Sequence, residues 1–317
     1  MQTRRLGFSD LELTTIGLGT WAIGGPGIFG WGPQDDADSI AAIRRGLEVG
    51  INWIDTAAMY GVGHSEEVVG EAIQGRRDEV FLATKCSRIV DPDTGIVVGR
   101  LDPPSIRQEC EASLRRLRTE VIDLYQIHWP LPDEAIEEGW GAIADLVREG
   151  KVRYGGVSNF SVAQMQRIAP IHPIASVQPP YSMVRRQIEA DILPYCAVEN
   201  IGVIVYSPMQ AGLLTGRFSR ERVAALDPGD WRLQNEQFRE PKLSANLALV
   251  ERLRPIAERR GVPLAQLAIA WTLRRKEVTA AIVGARRPAQ IEETAPAGDL
   301  VLDEQDLAQI EAALQIS

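Results

Sequence analysis

Short apolar runs recur along the chain, spaced so that one helix fits between each pair. TTIGLGT (14–20), INWID (51–55), VFLATK (80–85), VIDLYQIH (121–128), VRYGGVS (152–158), ASVQ (175–178), IGVIVYS (201–207) and TAAIVG (279–284) are the strand candidates. Most are apolar on both faces instead of alternating, as parallel strands buried on both sides should be. The stretches between them read as helices with chemically sensible starts. Ser65 precedes Glu66 and Glu67, Asp102 precedes Pro103 and Pro104, and Ser161 precedes VAQMQRI. Eight strands, each followed by a helix, predict an α/β fold of the TIM-barrel type, a closed (β/α)8 barrel. An open doubly wound sheet is the rival, and it usually needs fewer strands.

Three segments lie outside this repeat. RRLGFSDLEL (4–13) predicts an N-terminal β-hairpin closing the barrel bottom. MQAGLLTGRF through WRLQNEQF (209–238) is too long for an ordinary strand-to-helix connection, and segments of that length usually serve as lids or binding loops. LDEQDLAQIEAAL (302–314) reads as an extra, amphipathic C-terminal helix. No linker, composition shift or short-period repeat divides the chain, so a single domain over 1–317 is expected.

With 317 residues, 45% of them hydrophobic, the chain can bury a large core. Its net charge of −9 argues against nucleic-acid or anionic-membrane partners, which reward a basic face. Cys86, Cys110 and Cys196 are odd in number and widely spaced, which fits a reducing compartment and no disulfide framework. Neither a signal-peptide core nor a membrane-length apolar run is present, so a cytoplasmic protein acting on a small molecule is expected. The sequence carries no signal for an oligomeric state.

In a barrel of this kind the chemistry sits at the C-terminal ends of the strands. The second to seventh strands end in Asp55, Lys85, His128, Ser158 with Asn159, Gln178, and Tyr206 with Ser207. Such a run of polar tips on apolar strands is hard to explain as a solvated rim. Tyr60, five residues beyond Asp55, completes a legible set. A free phenol titrates near pKa ~10, too high for easy proton exchange at neutral pH. An ammonium at Lys85 would favour the phenolate, Asp55 would orient the ammonium, and His128 could donate to a substrate oxygen. Such a site protonates an oxygen as negative charge develops on it, or deprotonates an alcohol in reverse. None of these residues supplies electrons, so a redox version requires a cofactor that carries hydride.

SLRRLRTEVIDLYQIHWP (113–130), WIDTAAMYG, FLATK, GVSNF (156–160) and YSPMQAGLLTGRF (206–218) together resemble the aldo-keto reductase superfamily, in particular bacterial members with a GLLTGRF-type loop. The resemblance spans about residues 4–314 and implies a barrel that binds a nicotinamide cofactor without a Rossmann domain. It implies a catalytic tetrad of Asp55, Tyr60, Lys85 and His128, with Tyr60 as general acid/base. Ser158, Asn159 and Gln178 would then bond the carboxamide and Tyr206 would stack on the nicotinamide. Thr20, Trp21, Ser207 and Pro208 belong to the same implied cofactor surface, and Leu213 and Gly216 to the pyrophosphate. In AIVGARRPAQIEET (281–294), Arg286 and Arg287 could reach a 2′-phosphate, while Gln290 and Glu293 fall where adenosine contacts lie. Gly284 stands where many relatives carry lysine, and Thr294 where they often carry asparagine. The arginines favour NADP(H) without excluding NAD(H).

GLGTWA (17–22) mimics a dinucleotide fingerprint, but Gly- and Pro-rich sequence comes after it where a helix should open, so a tight loop over the barrel mouth is the better expectation. Trp21, Met59 and Trp129 are candidates for the substrate pocket, and Trp31 could belong to it or to loop packing. His64 is assigned to a helix start and His172 to a loop; neither has a partner at metal-ligand spacing, so no metal site is expected. Cys86 should point away from Lys85 as a buried filler, and Arg115, Arg116 and Arg118 should form a solvated helix face. Two other functions compete with carbonyl reduction: a Schiff-base lyase or aldolase using Lys85, and a cofactor-binding regulatory subunit with little turnover. Pairing with Asp55 would keep Lys85 charged, which weakens the first; the complete tetrad weakens the second.

Overall fold

The structure, a computed structural model, describes residues 1–26, 30–91 and 93–315. The part of the first loop at 27–29 and the last two residues of the chain lie outside these. Twelve strands are present among them. Eight form a closed, wholly parallel barrel: β3 (Ile16–Gly19), β4 (Trp53–Asp55), β5 (Phe81–Cys86), β8 (Ile122–Ile127), β9 (Val152–Ser158), β10 (Ser176–Gln178), β11 (Gly202–Tyr206) and β12 (Ala280–Gly284), with β12 closing back on β3. This is a (β/α)8 barrel, with strand ends within two residues of those of the apolar runs.

Helices α1 (Asp36–Glu48), α2 (His64–Ala72), α3 (Pro103–Leu117), α4 (Ile136–Arg148), α5 (Val162–Ile168) and α6 (Ile192–Glu199) come after the successive strands from β3 to β10. After β11 come α7 (Arg220–Ala224), α8 (Lys242–Arg259) and α9 (Leu264–Leu273); α10 (Pro288–Thr294) and α11 (Glu304–Gln315) close the chain. Asp102 and Ser161 cap α3 and α5 as expected, Ser161 in a capping box with Gln164. Ser65 does not cap α2, which begins at His64 behind Gly63. Its hydroxyl instead bonds Thr20 (2.8 Å) and Thr56 (3.0 Å), tying the tips of β3 and β4 together.

The core has two layers, as side-chain alternation on a barrel stave requires. Residues facing outward, such as Ile54, Leu82, Tyr125 and Val157, pack under the helices. Those facing inward, such as Trp53, Ala83, Leu124 and Ile204, fill the barrel. β1 (Thr3–Arg5) and β2 (Glu12–Thr14) form the expected antiparallel hairpin. It delivers Leu6, Leu11 and Leu13, all essentially inaccessible, to the inner layer from below.

Two features were not foreseen. β6 (Arg88–Val90) and β7 (Val97–Gly99) form a second antiparallel hairpin directly after β5. The solvated face assigned to α3 is interrupted, because Arg116 turns inward to pair with the buried Glu66 at 2.6 Å. The 209–238 segment is built, not open: Leu213, Val223, Phe238 and Leu243 make a small core of their own. No helix among the described residues is long and apolar enough to cross a membrane.

Candidate functional site

Register sets the site. Asp55 pairs with Ala83, so Lys85, two residues further along and on the same face, stands one layer higher; Gln126 sits opposite Lys85 and His128 is two residues further on. Tyr60 reaches the same place through a tight turn at the β4 tip. Gly61 in that turn has φ 60°, and a Cβ there would lie 2.1 Å from the Gly24 carbonyl oxygen, so only glycine lets the Tyr60 turn press against the first loop.

The contacts form a chain. Lys85 Nζ donates to Asp55 Oδ1 (2.7 Å), the Thr56 carbonyl (2.9 Å) and Tyr60 Oη (3.2 Å). Asp55 Oδ2 accepts from Gln178 (2.8 Å) and from Gln126 (3.5 Å), and Gln178 also donates to Gln126. The ammonium lies 4.9 Å from the Tyr60 ring centre, and the His128 ring meets Tyr60 edge-on at 5.8 Å. Among the described residues His128 Nδ1 is buried without a partner, which leaves Nε2 as the ring nitrogen open to the cavity. Burial works against the Lys85 ammonium, yet Asp55 and Tyr60 outweigh it and its pKa rises. Burial pushes the Tyr60 phenol up, and the opposing pull of Lys85 does not cancel that push, as the sequence had suggested it would. Burial, then Lys85 and Arg88, hold His128 well below the usual imidazole range, so it is neutral at physiological pH.

Above these groups opens a cavity of about 590 Å³ whose exposed lining is mainly apolar. Asp55, Tyr60, His128, Ser158, Asn159, Gln178, Tyr206, Ser207 and Pro208 line it, with Gly284, Arg286, Gln290, Glu293 and Thr294 at the far end. Trp21, Met59 and Trp129 are in its wall, and so is Trp31. Lys85 is not; it lies behind Asp55 and Tyr60, which do line the cavity and to which it donates. Thr20, Leu213 and Gly216 are also outside the wall. Thr20 is fully buried, its hydroxyl donating to the Asp55 carbonyl, and Leu213 is turned into the small core of its own loop. Gly216 packs against Leu264 and Arg254.

Several candidates already have partners. Asn159 Nδ2 donates to the His128 carbonyl and to Ser158, while its Oδ1 accepts from Tyr206 (2.9 Å), which fixes the Tyr206 ring. Gln290 Oε1 accepts from the amides of Arg286 and Arg287. The Arg286 guanidinium is held by Gln34 and the Trp31 carbonyl, whereas Arg287 is mostly exposed, 3.7 Å from Asp38. Thr294 donates to the Gln290 carbonyl within its helix. His64 and His172 are removed from the site, at α2's start and beside Trp140. Cys86 is buried, faces away from Lys85, and burial raises its thiol pKa well above normal.

Sequence reasoning missed three wall residues, Arg88, Arg232 and Phe218, and two behind the wall, Gln126 and Trp231. Gln126 was signalled by a polar residue two before His128 in an otherwise apolar strand. Arg88, Arg232, Phe218 and Trp231 carried no such signal. Trp231, from the long loop, lies 4.8 Å from Trp21 and 5.4 Å from Trp31, ring centre to ring centre, so it joins the two tryptophans of the first loop, of which Trp21 stacks on Tyr60.

An aromatic-walled cavity over a buried acid, ammonium and phenol at barrel-strand tips is the arrangement expected of carbonyl chemistry, and comparison with known proteins agrees. Residues 15–315 match the model of the aldo/keto reductase family. The chain belongs to that family. As an aldo/keto reductase it is an oxidoreductase, of a family that uses nicotinamide cofactors. It is 38% identical over 318 residues to aldo-keto reductase YhdN of Bacillus subtilis, covering 99% of this chain and 94% of the relative. It is 34% identical to the NADH-specific methylglyoxal reductase of Escherichia coli, covering 95% and 94%. The solved glycerol dehydrogenase AKR11B4 from Gluconobacter oxydans superimposes with a TM-score of 0.89 at 37% identity, covering 99% of this chain and 95% of that one. The wall of this reductase fits a dinucleotide: a fixed tyrosine ring and amide side chains flank Tyr60 at one end, and arginines and glycine backbone line the other.

Proposed function

We propose that the whole chain, acting as one barrel unit, is an NADP(H)-linked reductase of aldehydes, ketones or sugar carbonyls, reversible toward the alcohol, with Tyr60 as general acid/base. The observation that carries this reading is the Lys85 ammonium, hydrogen-bonded at once to Asp55 and Tyr60 directly beneath the cavity. Ser158, Asn159, Gln178 and Tyr206 would hold the nicotinamide, which would supply the hydride when bound. The substrate carbonyl oxygen accepts hydrogen bonds from Tyr60 Oη and His128 Nε2. As negative charge builds on that oxygen it takes the Tyr60 proton, and the adjacent ammonium stabilises the phenolate left behind. Gln126 and Gln178 keep Asp55 fixed under Lys85, so the charge needs little reorganisation during the step.

The Schiff-base alternative is disfavoured by the same contacts. Lys85 is buried, has three acceptors and stays protonated, so it has neither a free electron pair nor access to the cavity. Arg287, exposed beyond the tied Arg286, supports a 2′-phosphate, with Asp38 competing for it. The test is steady-state reduction of small aldehydes with NADPH and NADH in parallel, for the wild type and Tyr60→Phe. The substitution is expected to lower kcat/KM by about 100-fold or more, and NADPH to be the better donor. A Tyr60→Phe enzyme within a few-fold of wild type would sink the acid/base role; a preference for NADH would sink the cofactor assignment alone.

A further inference from the structure

Five arginines line the cavity: Arg88, Arg217, Arg222, Arg232 and Arg286. Four are engaged. Arg217 pairs with Glu293, Arg222 donates to the Arg217 carbonyl, Arg232 pairs with Asp230, and Arg286 is held by the first loop. Arg88 is different. Among the described residues its guanidinium has no hydrogen bond and no carboxylate within 4.0 Å. It is half-buried, burial lowers its pKa, and no acid offsets that cost.

Its position is built, not accidental. Ser87, at φ 74°, reverses the chain at the end of β5. The buried Glu109 accepts from the Ser87 amide (2.9 Å), and the Ser87 carbonyl accepts from the Arg100 amide (3.1 Å), which closes the β6–β7 hairpin at its base. The first residue after that pinned turn is Arg88, paired in register with Gly99. It lies on the His128 side of the cavity, near enough to act on that ring's charge.

We propose that Arg88 anchors an oxyanion group carried by the substrate, so that the substrates this reductase favours are aldehydes or ketones bearing a carboxylate or a phosphate. The inference rests on the carbonyl-reductase reading of the site. A guanidinium offers its donors in a planar fork that matches both groups, and desolvated donors without partners are costly until such an anion arrives. Trp21, Met59 and Trp129, in the same wall, supply largely apolar side chains for the rest of the substrate. In a chain of net charge −9, an unpaired cation in the wall also counters the general repulsion of anions.

Two matched pairs test this: succinic semialdehyde against butanal, and glycolaldehyde phosphate against glycolaldehyde, each with NADPH and with NADH. The wild type is expected to favour the anionic member of at least one pair by about tenfold or more in kcat/KM, and the responding pair tells carboxylate from phosphate. Arg88→Ala is expected to lower that anionic-to-neutral ratio by about tenfold or more, mainly through KM, with Arg88→Lys recovering part of it. The anchor is overturned if the neutral member is preferred in both pairs, or if Arg88→Ala leaves the ratio within about twofold of wild type. Turnover of butanal and glycolaldehyde with no anionic preference would overturn the anchor and leave the reductase reading standing. No turnover of any of the four with either cofactor would overturn both.

Discussion

Glu109 shows how a residue outside the Asp55–Lys85–Tyr60 chain affects the site's surroundings. Its carboxyl is buried under the Ser87 turn, accepts from the Ser87 amide and Ser105 hydroxyl, and burial pushes its pKa up to about 7. The folded pKa lies above the ordinary 4.5, so the folded state holds the proton more tightly than the unfolded one. That contribution is full at acid pH, falls away as pH rises from about 4.5 through about 7, and above this leaves a buried charge costing about 3 kcal/mol. Glu109→Gln can accept from the same amide and donate to Ser105 without ionising. It should therefore raise urea-unfolding stability at about pH 8 by up to about 3 kcal/mol more than at about pH 5. Equal effects at both pH values would refute the buried-charge account. At this scale the clustering of Asp55, Tyr60, Lys85 and His128 was legible, because acid, lysine and histidine at the tips of apolar strands stand out. Thr20 and Leu213 were misplaced because chain position does not fix which way a side chain turns. Arg88 was invisible because what marks it is a missing partner, which only three dimensions reveal.

Among the elements, the barrel strands were readable from continuous apolar runs. The β6–β7 hairpin was not, since three-residue strands are too short to show a period. The 209–238 segment was recognised by length alone, and its internal packing was not foreseeable. Leu213, Val223 and Phe238 pack on one another and on Leu243 of α8, apart from the main core that Met209 and Leu214 join, which makes the outer part of the loop a separate stability unit. Phe238→Ala should cost this unit about 3 kcal/mol. Hydrogen exchange of amides in 213–238 should then quicken by about tenfold or more, while β3, β4 and β5 keep their protection. Equal acceleration in those strands would show that the loop core is continuous with the barrel. Such a unit carrying Trp231 to Trp21 and Trp31 can loosen over the cavity without disturbing Asp55 or Lys85.

The whole molecule divides stability from chemistry along the barrel axis. At the closed end the hairpin buries Leu6, Leu11 and Leu13; at the open end lie Tyr60 and His128. Leu11→Ala should lower unfolding free energy by about 2–5 kcal/mol by leaving a void in the barrel floor. It should leave kcat and KM within about twofold of wild type at temperatures where both are folded. A large change in KM with little loss of stability would mean that the two ends are coupled. The fold at this scale, closure included, could be had from counting strands, whereas the register of β12 against β3 came from the structure. The pinned hairpin after β5 also bears on descent. Arg88 is three residues from Lys85, yet the knot at Ser87 isolates the β6–β7 hairpin as a cassette with its own internal pairing. Exchange or remodelling of that cassette would rebuild the wall around Arg88 while the Asp55–Lys85–Tyr60 contacts pass unaltered from ancestor to descendant.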